Sequence, residues 1–348
     1  MSLFDTRYPF FSAYLKGEEA KIVTADHINK MLGASSIQDI LAIIGKTSIG
    51  SYLEEAPVKT FEDVDERLWK YLSGCLEYLE WFKPVPADIT KILKAYIVKY
   101  DILNIKAALQ GISTGRKSHS IPLGVIHGNG LLDELFSAED VNGIIGALTR
   151  CGLVDYTSIL EEYKIDEGVE SSLLTEARLD GVYYKNLLDM ARGIEDGSIL
   201  SRVFGIIIDM TNLQVILRAV ISGIGVEAAE STVAGGREIS DEVARELLAL
   251  ELTKISARLK NTAYRDVVEE IVNNYAGTKS LGIIEEIIDK HKFRLVREML
   301  SLRLLSPLVL VWYLILKEVE IRDLRLILKA MFDNVPVEGI KNYLVLSS

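Results

Sequence analysis

The stretch that decides the fold is Asp101-Ile102-Leu103-Asn104-Ile105-Lys106-Ala107-Ala108-Leu109, because its pattern returns twice further along the chain. It recurs as Asp209-Met210-Thr211-Asn212-Leu213-Gln214-Val215-Ile216-Leu217 and again as Glu320-Ile321-Arg322-Asp323-Leu324-Arg325-Leu326-Ile327-Leu328. Counted from the leading acid, positions +1, +4 and +8 are apolar in all three copies. Position +3 is Asn or Asp, and position +5 is Lys, Gln or Arg. Apolar residues at those steps lie on one stripe of an α-helix, with the acid and the +3 residue one turn apart beside it. The copies begin at 101, 209 and 320, a nearly constant spacing of about 110 residues, which is a domain-sized period rather than that of a short-repeat solenoid.

Working outward, helical periodicity continues on both sides. From 61 to 82, Val64, Leu68, Tyr71, Leu72, Cys75 and Leu79 recur at steps of three and four, as one buried face requires. Similar faces run over 87–110, 137–150, 175–193, 200–222, 241–260, 263–274, 281–302 and 307–331. Only 7 prolines interrupt the 348 residues, so the fold class is all-α. Pro86-Ala87-Asp88 and Ser240-Asp241-Glu242 read as helix starts, through a fixed φ or a side-chain acceptor in the first turn. A fainter echo pairs Thr24–Asn29 with Ser137–Asn142, each opening on a hydroxyl residue able to cap a helix.

Two glycine-rich segments break the pattern. One runs from 111 to 130 and includes Gly115, Arg116, Lys117, Gly124, Gly128 and Gly130. The other runs from 222 to 236 and includes Gly223, Gly225, Gly235 and Gly236. Cutting there predicts three related helical domains, 1–114, 115–225 and 226–348, arranged about a pseudo-threefold axis.

Composition removes several function classes. The net charge of −11 repels phosphate backbones, so nucleic acid is not the expected partner. Cys75 and Cys151 form no CxxC and no cluster with histidine, which argues against a disulfide framework and a zinc site. His27, His119, His127 and His291 belong to no HExxH or HxH motif, although His119 and His127 share a connector. No phosphate loop or Gly-x-Ser-x-Gly elbow occurs. A GxGxxA at Gly223, Gly225 and Ala228 follows a helix where a dinucleotide fold needs a strand, so glycine is read there as ending that helix. The N-terminal Met1–Arg7 carries an acid and an arginine where an export signal needs an apolar run. The apolar stretches 304–316 and 206–221 are respectively too short for a bilayer and broken by Asp209 and Arg218. The mean hydropathy of +0.20 therefore reads as buried helix or extensive contact surface.

The pairs Asp101/Asn104, Asp209/Asn212 and Glu320/Asp323 could hold a cation or act as acid and base. Catalysis needs two groups in different environments, whereas a pair repeated three times more simply orders helix junctions by hydrogen bonding. Lys106, Arg218, Arg322 and Arg325 lie on or near the same helices, facing either a shared central space or a salt-bridged surface. No catalytic, cofactor-binding or metal-binding residue is assigned.

Tyr100–Lys106, Glu318–Arg325 and the following Pro336-Val337-Glu338-Gly339-Ile340 resemble the C subunit of archaeal A-type and bacterial V-type ATP synthases, the counterpart of the d subunit of the eukaryotic vacuolar ATPase. The resemblance spans nearly the whole chain. It implies a funnel of three similar helical domains without a catalytic centre, one copy per complex. The family's place is the cytoplasmic, inner face of the membrane, peripheral, with one end on the rotor ring and the cavity around the rotating central shaft. It implies no transmembrane span, no cofactor, and a role in ATP-coupled proton or sodium transport. The sequence departs from the family near its start, where Tyr8–Lys16 offers only Arg7 and Lys16 in place of an arginine-containing segment, and at Ala330, where relatives often carry glycine. Two other readings stay open: a soluble helical scaffold for unrelated partners, and a helical enzyme using a carboxylate pair with a divalent metal.

Overall fold

The computed structural model describes residues 7–53, 57–81, 87–115, 119–163, 168–301 and 304–347. Pro86, Met1–Thr6, Arg116 and Lys117 lie outside the described residues. So do the side chains of Arg7, Tyr8, Val337 and Glu338. Every regular element among the described residues is helical.

The chain forms two compact units, residues 1–90 with 293–348, and residues 91–292; the boundaries fall inside two long helices. In chain order the helices are α1 (Arg7–Glu19), α2 (Ala25–Leu32), α3 (Ile37–Ile44), α4 (Gly50–Leu53), α5 (Phe61–Trp81) and α6 (Ala87–Thr114). Then come α7 (Val125–Gly128), α8 (Leu132–Phe136), α9 (Val141–Arg150), α10 (Thr157–Glu161), α11 (Gly168–Arg192) and α12 (Gly197–Ser222). The last are α13 (Asp241–Leu248), α14 (Leu252–Arg258), α15 (Arg265–Thr278), α16 (Gly282–Ser301) and α17 (Leu308–Phe332). The second and third copies of the repeated stretch sit in α12 and α17, and the first in α6.

The first unit is built around α17, which packs on α5, α1 and α3. Every residue from Leu308 to Leu316 is buried, so this half of α17 is apolar all round, and the lysine that follows, Lys317, is buried as well. The stripe read from α5 buries Val64, Leu68, Tyr71, Leu72 and Leu79, each such side chain stabilising the fold by about 1.5–3 kcal/mol. In the second unit α12 holds the corresponding place against α11, α13 and α14. Among the described residues α12 is the helix long and apolar enough to cross a bilayer, yet Asp209 and Asn212 at its middle are themselves buried in protein. Gly223 ends it in the left-handed region, φ 75°, its N–H bonding back to Ala219 and Val220, as the GxGxxA reading expected.

Local boundaries differ from the periodicity, at 241–260 and at 137 among other places. The span 241–260 is two helices, because the Ala249 N–H turns back onto Arg245, Glu246 and Leu247 and Glu251 is extended. No glycine or proline marks that break. Ser240 caps α13 as expected, its side chain accepting from the Val243 N–H. The helix expected from 137 starts at Val141 instead, capped by Asp140, while Ser137 closes the preceding α8. Thr24 does cap α2, in a reciprocal box with His27, whose Nδ1 accepts from the Thr24 N–H. The echo between Thr24 and Ser137 therefore pairs positions with different roles.

Candidate interaction site: three buried latches

Each repeated acid grips backbone. The two Asp101 carboxylate oxygens accept from the N–H groups of Val125 and Ile126, both at 2.8 Å, at the first turn of α7. Asp209 accepts from Arg237, Glu238 and Ile239 at 3.1, 2.8 and 3.0 Å, just ahead of α13, and from the Tyr264 hydroxyl at 2.6 Å. Glu320 accepts from the Val23 N–H at 2.7 Å, just ahead of α2. All three acids are fully buried. Burial pushes the Asp101 carboxyl up to about 6, opposed by its two N–H donors, and raises Asp209 against the Tyr264 hydroxyl and its backbone donors.

The +3 residues hold the connecting segments. Asn104 pairs both ways with Ile121, its Nδ2 donating to the carbonyl and its Oδ1 accepting from the N–H, each at 2.8 Å. Asn212 does the same with Val233, at 2.8 and 2.7 Å. Asp323, which has no donor when ionised, instead accepts from Val345 at 3.1 Å and Leu346 at 2.7 Å. An asparagine satisfies one residue's donor and acceptor together, while a carboxylate suits two successive N–H groups, so side-chain chemistry matches the backbone presented.

Glycine lets the backbone come this close. A Cβ on Gly124, whose φ is 98°, or on Gly236 would collide with the carboxylate of Asp101 or Asp209. These are two of the glycines that marked the connectors.

The +5 side chains reach carboxylates on neighbouring helices. Lys106 pairs with Asp180 of α11 at 2.7 Å, Gln214 donates to Glu285 of α16 at 3.0 Å, and Arg325 forks onto Asp65 of α5 at 2.5 and 3.3 Å. Arg218 shares Glu285, at 2.6 Å, in an exposed pair. Arg322 is half-buried on α17 and is itself partnered.

Sequence reasoning missed the group around Glu320. Lys317, 2% exposed, lies 3.0 Å from the second Glu320 oxygen and donates to the Tyr71 hydroxyl, over whose ring it sits at 4.7 Å. Tyr71 in turn donates to Glu320 at 3.3 Å and meets Ser48 at 2.7 Å. Burial, then the Glu320 charge, hold the Tyr71 phenol well above its ordinary value. The signal available was the spacing of Lys317 and Glu320, three apart on one helical face. Tyr264 was also missed, although buried Tyr156 lies 108 residues before it and repeats the period.

What fold and site define is an all-helical protein whose buried carboxylates at positions 101, 209 and 320 are occupied by backbone N–H groups and neighbouring side chains at helix junctions. The chain belongs to the ATP synthase (C/AC39) subunit family, whose profile matches residues 11–343. It is 25% identical over 350 residues to the A-type ATP synthase C subunit of Methanocaldococcus jannaschii, covering 97% of this chain and 86% of that one. It is similar also to those of Pyrococcus abyssi, 25% identical over 343 residues, and Thermococcus kodakarensis, 23% over 340, each covering 97% of this chain and 90% of the other. Membership makes it a subunit of a membrane-associated ATP synthase.

Proposed function

We propose that this chain is the non-catalytic central-stalk subunit that links the rotating shaft of an A-type ATP synthase to its membrane rotor ring. One copy sits at the inner face of the membrane, held there by the ring, and passes torque between the two during ATP-coupled proton or sodium transport. The observation that carries this reading is the likeness, over 97% of the chain, to the C subunits of A-type ATP synthases. The latches add physical support. An element under torque must resist shear between its helices, and buried charge-assisted hydrogen bonds fix helix junctions more tightly than apolar contact alone. Three repeats, 1–114, 115–225 and 226–348, arranged as a funnel, would receive a shaft on one side and a ring on the other.

The test is recovery of the tagged chain from its native membranes in mild detergent, with mass spectrometry of what accompanies it. Shaft and ring subunits together are the expected result. Recovery of neither, from membranes whose synthase is intact, would leave a helical scaffold for other partners.

A further inference from the structure

Both α1 and α5 pack on α17, and Tyr14 of α1 meets Tyr78 of α5 with ring centroids 5.7 Å apart and planes 24° from parallel. Centroids at that distance and so small an angle mean offset stacking, a favourable aromatic geometry. The two hydroxyls are hydrogen-bonded to each other. Tyr78 is 55% exposed and Tyr14 is half-buried, so one ring of the pair faces solvent and the other is sheltered. Burial, then the charge of Glu18, holds the Tyr14 phenol above its ordinary value, and its hydroxyl keeps its proton. Other tyrosine contacts lack this combination. Tyr52 and Tyr71 stand edge to face, 73° apart, and Tyr71 is 2% exposed. Tyr183 and Tyr184 are tilted by 59° and adjacent in sequence, so a bond between them would join nothing that the backbone does not.

We propose that Tyr14 and Tyr78 form a site of oxidative cross-linking, at which a one-electron oxidant of the peroxide-charged haem class joins α1 to α5 through a dityrosine bond. The oxidant takes an electron and a proton from the exposed Tyr78 phenol. Across the shared hydrogen bond the resulting radical exchanges a hydrogen atom with Tyr14, which restores Tyr78 for a second oxidation while the first radical is held on the sheltered ring. The two phenoxyl radicals then combine through carbons ortho to their hydroxyls, each of those carbons gives up its hydrogen as a proton, and a proton returns to each oxygen. One carbon–carbon bond has formed, and the chain has lost two protons and two electrons, which turn one hydrogen peroxide into two waters.

The competing route ends at Cys75, three residues before Tyr78 on α5 and near enough to act on the Tyr14 phenol. Burial holds that thiol above its ordinary value, in the protonated and less reactive form, and it is hydrogen-bonded to Tyr313 and Tyr71. Coupling ring to ring is therefore favoured over a thioether. The bond closes the chain between positions 14 and 78 and ties together two helices that share α17. A cross-link of that span stabilises the fold by narrowing the unfolded ensemble. None of this depends on the stalk assignment.

The test treats the purified full chain with a haem peroxidase and limiting hydrogen peroxide, and reads dityrosine fluorescence, intact mass and cross-linked peptides on the monomer. The expected result is a monomer lighter by two hydrogens, with a peptide joining Tyr14 to Tyr78 and a melting temperature above that of the untreated chain. Tyr78→Phe and Tyr14→Phe each keep the ring and its stacking, and each should lose nearly all of the monomer fluorescence while melting like the untreated wild type. Cys75→Ser should keep it. Undiminished monomer fluorescence in Tyr78→Phe would overturn the proposal, because another pair would then be coupling. So would a non-fluorescent cross-link ending at Cys75, coupling found only between chains, or a chain left unmodified while free tyrosine in the same solution is coupled.

Discussion

The junctions at α12 and α17 solve one problem with different chemistry. Asp209 is surrounded by three backbone N–H groups and one phenol, all uncharged donors supplied by the connector and by Tyr264. Glu320 has a single backbone donor, and Lys317 and Tyr71 make up the deficit. Where a covalent connector delivers several aligned dipoles, a buried carboxylate is satisfied without a counter-ion. Where the backbone comes from the other end of the sequence, a full positive charge takes the place of the missing dipoles, and the desolvation of two ions is offset only because both are hydrogen-bonded.

That contrast can be broken most forcefully at Asp209. Asp209→Leu strands the Glu238 and Ile239 N–H groups and the buried Tyr264 hydroxyl, leaving the Arg237 N–H only its 3.4 Å bond to the Gly205 carbonyl, and a loss of about 4 kcal/mol in unfolding free energy is expected by urea titration. Wild-type melting would remove the role given to the acid. Glu320→Met alone leaves Lys317 buried without its carboxylate and should cost about 3–5 kcal/mol, of which Lys317→Met in the same chain recovers the larger part. Equal losses in the single and double variants would show that the charge on Lys317 is not what the junction must satisfy.

A smaller effect, with a pH signature, belongs to Asp101. Its folded value near 6 lies above the unfolded value of about 3.9, so the native state binds this proton more tightly. Its contribution is full below about pH 4 and is lost as pH rises through 6. Asp101→Asn should therefore remove a stability decrease of up to about 3 kcal/mol between pH 4 and 7, read as the difference between the two melting profiles. Parallel profiles would contradict it. The smallest effect is expected at the +5 side chains: Arg325→Met and Lys106→Met should each cost about 1 kcal/mol, shrinking with salt, since both pairs are partly solvated.

Much of this is legible in the sequence, because it depends on spacing. The all-helical class follows from apolar residues at steps of three and four, and the three buried acids stand out in the sequence because an acid followed three positions later by Asn or Asp returns about every 110 residues. What those residues hold is not legible, because a carboxylate's partners here are backbone N–H groups, identical in every residue and silent in sequence. Gly124 and Gly236 are visible as connector glycines, but that they make room for Asp101 and Asp209 depends on three-dimensional approach. Lys317 is hidden for another reason. A lysine in a helix is ordinarily read as solvent-facing, and its burial is decided by Tyr71, 246 positions away. The break at Ala249 carries no signal, since it uses residues that favour helix and is set by tertiary packing.

The coupling role is tested most directly by deleting the chain from the organism's membranes, restoring it from a plasmid, and measuring ATP hydrolysis and ATP-driven ion uptake side by side. The expected result is that deletion abolishes uptake while hydrolysis by the catalytic part continues, and that restoration brings the two back together. Ion uptake at the wild-type ratio to hydrolysis in the deleted membranes would contradict the account, because torque would then reach the ring without this protein.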